Sequence, residues 1–220
     1  NAIKEALAKN KKCISILDHW ANYKERFQDS SDKIYLPNEI WVCDTYAEDL
    51  ARSLFQNTKI KLIENPYLVS IREEINEKIS KTVKKNNQVL YVGEPVADHA
   101  LKEFGDSNHF GYTEKEALMY FLDNFKNLFD DKFYLKIRPH PSEDNDKYNW
   151  VMEYASIKIE INKNFSLIED VCNSEVVVGC ESMAMVVGLM TSKRVISAIP
   201  KGGKKCELPY KEIEMLQNIL

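Results

Sequence analysis

Short apolar runs recur along this chain, most of them followed by a polar turn and then by apolar residues at helical spacing. That alternation points to a layered α/β fold built on parallel strands. In the first part the runs are Cys13–Leu17 (CISIL), Glu39–Cys43 (EIWVC) and Lys59–Ile63 (KIKLI). Later come Val89–Val92 (VLYV), Phe133–Ile137 (FYLKI), Ile157–Ile161, Glu175–Val178 (EVVV) and Arg194–Ile199 (RVISAI). Helices are expected over residues 2–10, 45–55 with Asp44 as N-cap, 96–104, 113–128, 146–154 and 166–171 with Asn164 as N-cap. Thr113 and Glu116 have capping-box spacing, and Leu118, Phe121, Leu122 and Phe125 give the helix after them one apolar face.

Between the two series, Val69–Lys85 is charged and free of glycine, and Lys81, Lys84, Lys85, Asn86 and Asn87 crowd its end. It reads as a solvated connecting helix followed by a linker. The expected organisation is two Rossmann-like domains with parallel sheets: an incomplete one over residues 1–75, a linker over 76–87 and a second domain over 88–220. A chain of 220 residues can bury a sizeable core. With 29% charged and 44% hydrophobic residues it has the profile of a soluble globular protein. A net charge of -4 argues against nucleic acid as the main partner. No run approaches the roughly 20 apolar residues of a membrane span, and no signal-peptide pattern opens the chain. The chain starts at Asn1 without a methionine, so an amino-terminal portion is expected to be missing. Cys13, Cys43, Cys172, Cys180 and Cys206 are widely spaced and odd in number, which fits buried thiols in a reducing cytosol.

Chemistry gathers where the runs end. Phe133–Glu143 (FYLKIRPHPSE) stops as a strand at Pro139 and delivers Arg138, His140, Ser142 and Glu143 into a loop stiffened by Pro139 and Pro141. Ligands of open α/β sheets bind outside the carboxyl ends of strands. A guanidinium and an imidazole there suit an oxyanion, phosphate foremost. An ordinary strand-to-helix turn with a surface histidine would carry the same residues. In Glu175–Leu189 (EVVVGCESMAMVVGL), Gly179 breaks a strand and an apolar helix resumes at Ser182. Such a turn offers amides at a positive helix end to phosphate. Glu181 opposes that role unless it bonds a sugar hydroxyl or caps the helix. Gly93-Glu94-Pro95 closes another strand, and CISIL ends on Asp18 and His19. The basic loop Lys201-Gly202-Gly203-Lys204-Lys205 reads first as solvated surface. There is no GxGxxG, no Walker sequence and no serine-hydrolase elbow. His19, His99, His109 and His140 lack metal-ligand spacing, so no metal is expected.

Arg138-Pro139-His140-Pro141 ending one strand and Gly179-Cys180-Glu181-Ser182 opening a later helix resemble the carboxyl-terminal half of GT-B glycosyltransferases. The likeness is narrower to the bacterial sialyltransferase and polysialyltransferase group. It covers about Val89–Leu220 and rests on an HP motif, His140-Pro141, and on Ser182 at a helix start. That group has Ser-Ser or Ser-Thr where this chain has Glu181-Ser182, and its acidic Asp/Glu-Asp/Glu-Gly motif has no match here. The resemblance implies transfer of a sialic-acid-like nonulosonic acid from a CMP-linked donor to a glycan or protein acceptor, without metal or further cofactor. His140 would then contact the donor phosphate and help the leaving group depart. Arg138, Pro141, Ser142, Gly179, Glu181, Ser182 and Gly202 fall in the donor-binding set, and Glu94 would bind ribose or acceptor hydroxyls. Asp18 or His19 would serve as general base. A cytoplasmic enzyme, able to associate peripherally with a membrane, is the implied setting. Relatives of sugar-nucleotide 2-epimerases or glycerophosphotransferases, and a non-catalytic nucleotide-sugar-binding module, fit the same residues.

Overall fold

The strands form two separate sheets, and every pairing in both is parallel. The computed structural model describes residues 2–18, 20, 22–79, 87–154, 156–161 and 164–220. The chain divides into one unit of Asn1–Ser70 with Glu207–Pro209 and another of Ile71–Cys206 with Tyr210–Leu220.

The first unit contains α1 (Ala2–Ala8), β1 (Ile14–Leu17), a 3-10 turn (Glu25–Phe27), β2 (Glu39–Val42), α2 (Thr45–Leu54) and β3 (Lys59–Leu62). Its strands are ordered β1-β2-β3. Central β2 carries the core, with Ile40 and Val42 fully buried. Asp44 caps α2 by accepting the Ala47 N–H at 2.7 Å, and its other carboxylate oxygen accepts the Trp20 indole N–H at 2.8 Å. One short polar side chain thus satisfies a helix end and ties it to a buried aromatic.

Helix α3 (Pro66–Ile79) follows, and residues 80–86 of the expected linker lie outside the described residues. The second unit then runs β4 (Gln88–Val92), α4 (Val96–Phe104), α5 (Glu114–Leu128), β5 (Tyr134–Arg138), a 3-10 segment (Asn145–Glu153), β6 (Ile159–Ile161), α6 (Leu167–Asn173), β7 (Val176–Gly179), α7 (Met183–Met190), β8 (Arg194–Ser197), β9 (Ile213–Met215) and α8 (Leu216–Ile219). Strand order is β6-β5-β4-β7-β8-β9. The chain therefore builds outward from β4 on one side, returns to its other side at β7 and builds outward again. This is the doubly wound Rossmann order, with its reversal between β4 and β7.

Burial follows that order. Every residue of β4 and β7 is buried, while those of the edge strand β6 are all half-buried. Strands covered on both faces need continuous apolar runs, and VLYV and VVV are such runs. Leu118, Phe121, Leu122 and Phe125 of α5 pack into the same core as Val89, Leu135, Ile137 and Val178. Each such side chain contributes about 1.5–3 kcal/mol by leaving water. The Thr113–Glu116 capping box forms in full, with backbone-to-side-chain bonds in both directions.

Two local expectations change. Helix α6 is capped by Ser166 rather than Asn164: its hydroxyl accepts the Glu169 N–H at 3.1 Å, and its extended backbone suits a helix that begins at Leu167. Past Ile199 no element was expected, yet β9 and α8 form. β9 is three residues long and only Ile213 is buried, so alternation had no room to show.

Candidate functional site

A doubly wound sheet opens a crevice where its strand order reverses, outside the carboxyl ends of its strands. Here three turns meet at that place: Gly93-Glu94-Pro95 after β4, Pro139-His140-Pro141 after β5 and Cys180-Glu181-Ser182 after β7. Two cavities occupy it, of 370 Å³ and 190 Å³, and both are lined by His140, Ser182 and Met183. Glu94, Val96, His99, Phe110, Tyr112, Glu181 and Lys204 also wall the larger. Gly93, Arg138, Pro141 and Leu167 are among the walls of the smaller.

The His140 loop is stapled from beneath. Its own N–H donates to Glu143 Oε2 at 3.0 Å, and that buried carboxylate also accepts from Tyr148 Oη at 2.8 Å and Lys147 Nζ at 2.7 Å. Lys147 pairs as well with Glu114, whose other oxygen accepts the Ala97 N–H at the start of α4. Burial alone would raise the Glu114 carboxyl, but Lys147 and the Ala97 amide hold it below its ordinary range. Burial opposes the Lys147 charge too, and its two carboxylates outweigh it and hold that group above its ordinary range. A Cβ at Gly93 would collide with the Tyr148 hydroxyl, so this glycine answers to loop packing.

Ser142 orients the imidazole through its Nδ1 side. His140 Nδ1 accepts the Ser142 N–H at 3.2 Å and lies 2.7 Å from Ser142 Oγ. An amide can only donate, so this contact makes Nδ1 the acceptor and, in the neutral ring, puts the proton on Nε2. With Nδ1 committed to its loop, Nε2–H is the polar group the ring has left for a ligand.

The turn after β7 departs from the expectation of open amides. Glu94 Oε1 accepts the N–H groups of Cys180, Glu181 and Ser182 at 2.8, 3.0 and 3.1 Å, and Oε2 takes a second contact from Glu181 at 3.2 Å. The two features read separately, a nest for phosphate and a carboxylate for hydroxyls, are paired with each other. Burial pushes the Glu94 carboxyl up to about 7 against the pull of the three amides, and the Glu181 charge adds to the rise. Glu181 itself turns to Lys204 at 2.5 Å, and that ammonium also stands over the Phe110 ring at 4.2 Å. Ser182 caps α7 by accepting the Ala184 N–H at 3.1 Å, which leaves its O–H to donate into the cavities it lines.

Arg138 is only partly available to a ligand. Its Nη1 donates to Asp170 Oδ2 at 2.6 Å and to the Phe165 carbonyl at 2.7 Å, although the side chain also lines the smaller cavity. Asp170, 0% exposed, holds Lys136 on its other oxygen. Sequence reading missed Asp170. The signal was Lys136 in the middle of a buried strand, since a charge so placed requires a partner.

The remaining expected residues are scattered. Pro141 lines the smaller cavity and Ser142 orients His140. Gly179 is buried against Val92 and Met185 and lines neither cavity. Gly202 is exposed at φ +94°, with its carbonyl packed against Gly111, and it lines neither cavity; Lys204 is the residue of that loop that reaches the larger one. Asp18 belongs to the first unit, is 74% exposed and pairs with Arg26 at 3.2 Å. His19 lies outside the described residues. Phe110, His99, Tyr112 and Met183 join the site without a sequence signal, and Lys204 joins it from the basic loop. Among the described residues no cluster of His, Cys, Asp and Glu is arranged to hold a metal ion, and no helix is long and apolar enough to cross a membrane.

No family model and no curated protein matches the sequence. Among solved structures, KpsC of Thermosulfurimonas dismutans, described as a beta Kdo 2,4 transferase, is similar with a TM-score of 0.39 and 13% identity over 70% of this chain and 50% of that one. This chain thus spans half the length of that structure.

Proposed function

We propose that the second unit is the donor-binding domain of a glycosyltransferase and holds a nucleotide-activated sugar with its phosphate between His140 and Ser182. The observation that carries this reading is the locked imidazole. Ser142 occupies Nδ1, so Nε2–H is the donor the ring offers, and His140 lines the same two cavities as Ser182. As the bond from the anomeric carbon to the phosphate oxygen breaks, its electron pair moves onto the phosphate. Nε2–H and Ser182 O–H are donors in place to receive that charge, and the positive end of α7 adds to them. Arg138, its charge balanced in part by Asp170, acts on the same side at longer range. The larger cavity has an aromatic and cationic wall in Phe110 and Lys204, which suits the rest of a nucleotide sugar. By the HP resemblance, the donor is a CMP-linked nonulosonic acid, and the acceptor a glycan or protein. Neutralisation of the leaving group is assigned to side chains and a helix end, without a metal.

The experiment is calorimetric and thermal-shift titration of the full chain with CMP, CDP, UMP and UDP, with and without EDTA. CMP is expected to stabilise the protein above the others, unaffected by EDTA. A preference for UDP or CDP overturns the CMP assignment, and binding of none overturns the donor site.

A further inference from the structure

A doubly wound sheet with a helix end at its reversal point ordinarily leaves that end open for an anionic ligand. Here a protein carboxylate already sits there. Expelling Glu94 would break its charge-assisted hydrogen bonds to Cys180, Glu181 and Ser182 and strand a carboxylate without donors, which is the most expensive state for a polar group inside a protein. Room for an anion exists beside it. Ser182, Met183 and His140 line both cavities, and Met183, as the first residue of α7, has an N–H that no carbonyl of its own helix can accept.

An anion there stands close to the Glu94 carboxylate in a partly desolvated site, where two like charges cannot both persist without strain, and a shared proton relieves it. The surrounding groups narrow down which one takes that proton. Glu181 is paired with Lys204. Tyr91 of β4, Tyr112 and Cys180 are already neutral, and burial pushes all three above their ordinary values. Glu143 and Glu114 share Lys147, Asp98 of α4 is exposed, and His99 lines the larger cavity but not the smaller. His140 Nδ1 is held by the Ser142 N–H and lies against the Ser142 hydroxyl. Glu94, held by dipoles alone and raised to about 7 by burial, is the group left.

Resting on the donor-site reading above, we infer that Glu94 and not the ligand is the anion seated on the Cys180–Ser182 amides, and that an anionic ligand at Ser182 and His140 binds together with one proton taken up by Glu94. Glu94 is then a positioning residue: it holds the turn that presents Ser182, and it makes the site's affinity for anions depend on pH.

CMP titration of the full chain by calorimetry, in two buffers of different ionisation enthalpy, reads the proton directly. Wild type is expected to take up close to one proton above neutral pH, and its Kd to weaken about threefold to tenfold between about pH 7 and about pH 8. In Glu94→Gln, whose amide oxygen still accepts from the turn, uptake disappears and Kd is flat over the same range. Equal uptake in both proteins, or none in wild type, overturns the inference. The backbone amide resonances of Cys180, Glu181 and Ser182 test the seating without any ligand. They should follow one titration near neutral pH in wild type and none in Glu94→Gln, and pH-independent resonances in wild type overturn the inference. If CMP binds neither protein while these resonances titrate, the donor reading fails and the seating of Glu94 stands.

Discussion

At the end of β5, Arg138 meets a buried carboxylate; at the end of β4, Glu94 meets only backbone amides. Both charges stand at the same edge of the same sheet, yet their compensation differs in kind. Asp170 is fully buried between Lys136 and Arg138, so its charge is fixed by two cations and the three groups hold β5 to α6. Among the described residues the Glu94 carboxylate is held by backbone amides and lies near Glu181, so its charge is opposed by burial and supported by dipoles. An ion pair of the first kind is part of the frame. A carboxylate of the second kind can change its protonation when something charged arrives, which suits it to a binding site.

The largest expected effect breaks the framed side. Asp170→Ala leaves buried Lys136 and half-buried Arg138 without their counter-charge and should remove about 3–5 kcal/mol of stability in urea unfolding. A loss below about 1 kcal/mol would place that triad with weak surface pairs and erase the contrast. Next comes the staple under His140. Gly93→Ala forces a methyl against Tyr148 and should lower stability by about 1–3 kcal/mol, with part recovered when Tyr148→Phe removes the oxygen it meets. No recovery in the double variant would mean that the loop yields elsewhere.

The responsive side is sharpened by pH. Because the Glu94 carboxyl is raised in the folded state from 4.5 to about 7, the folded chain holds this proton more tightly than the unfolded chain. Its contribution to stability is therefore greatest below the lower value and falls as pH rises between the two. Glu94→Gln should lack that component, so the gap in Tm between about pH 5 and about pH 8 is smaller in the variant than in wild type. Identical gaps would show that the turn does not feel the charge. The smallest effect belongs to Lys204→Met, which releases a partly exposed partner of Glu181 and should change stability by less than about 1 kcal/mol.

Most of the second sheet was legible because its central strands are covered on both faces and so had to be written as unbroken apolar runs. The capping box at Thr113 was legible because capping is local, with its partner three residues away. Ser166 follows the same local logic, with the amide it caps, Glu169, three residues on. The site was half legible. His140 and Ser182 stand at strand and helix ends, and the fold brings both to one cavity. What they are paired with was hidden, since Glu94 lies 86 to 88 residues from its amides and Arg138 lies 32 from Asp170. Spacing along a chain carries no record of such meetings; only the return of β7 to the side of β4 creates them. In the first unit, Asp18 sits at a strand end as expected and pairs with Arg26 at the surface.

On the proposed reading, His140 offers Nε2–H to the phosphate of a nucleotide. Nitrogen-15 spectra of the histidine rings, recorded on the full chain with and without CMP and assigned with His140→Gln, test it directly. The expected result is the Nε2–H tautomer in the free protein, with the Nε2 proton moving downfield as CMP is added. An Nδ1–H tautomer, or a ring that CMP leaves unmoved while the nucleotide binds, would contradict it.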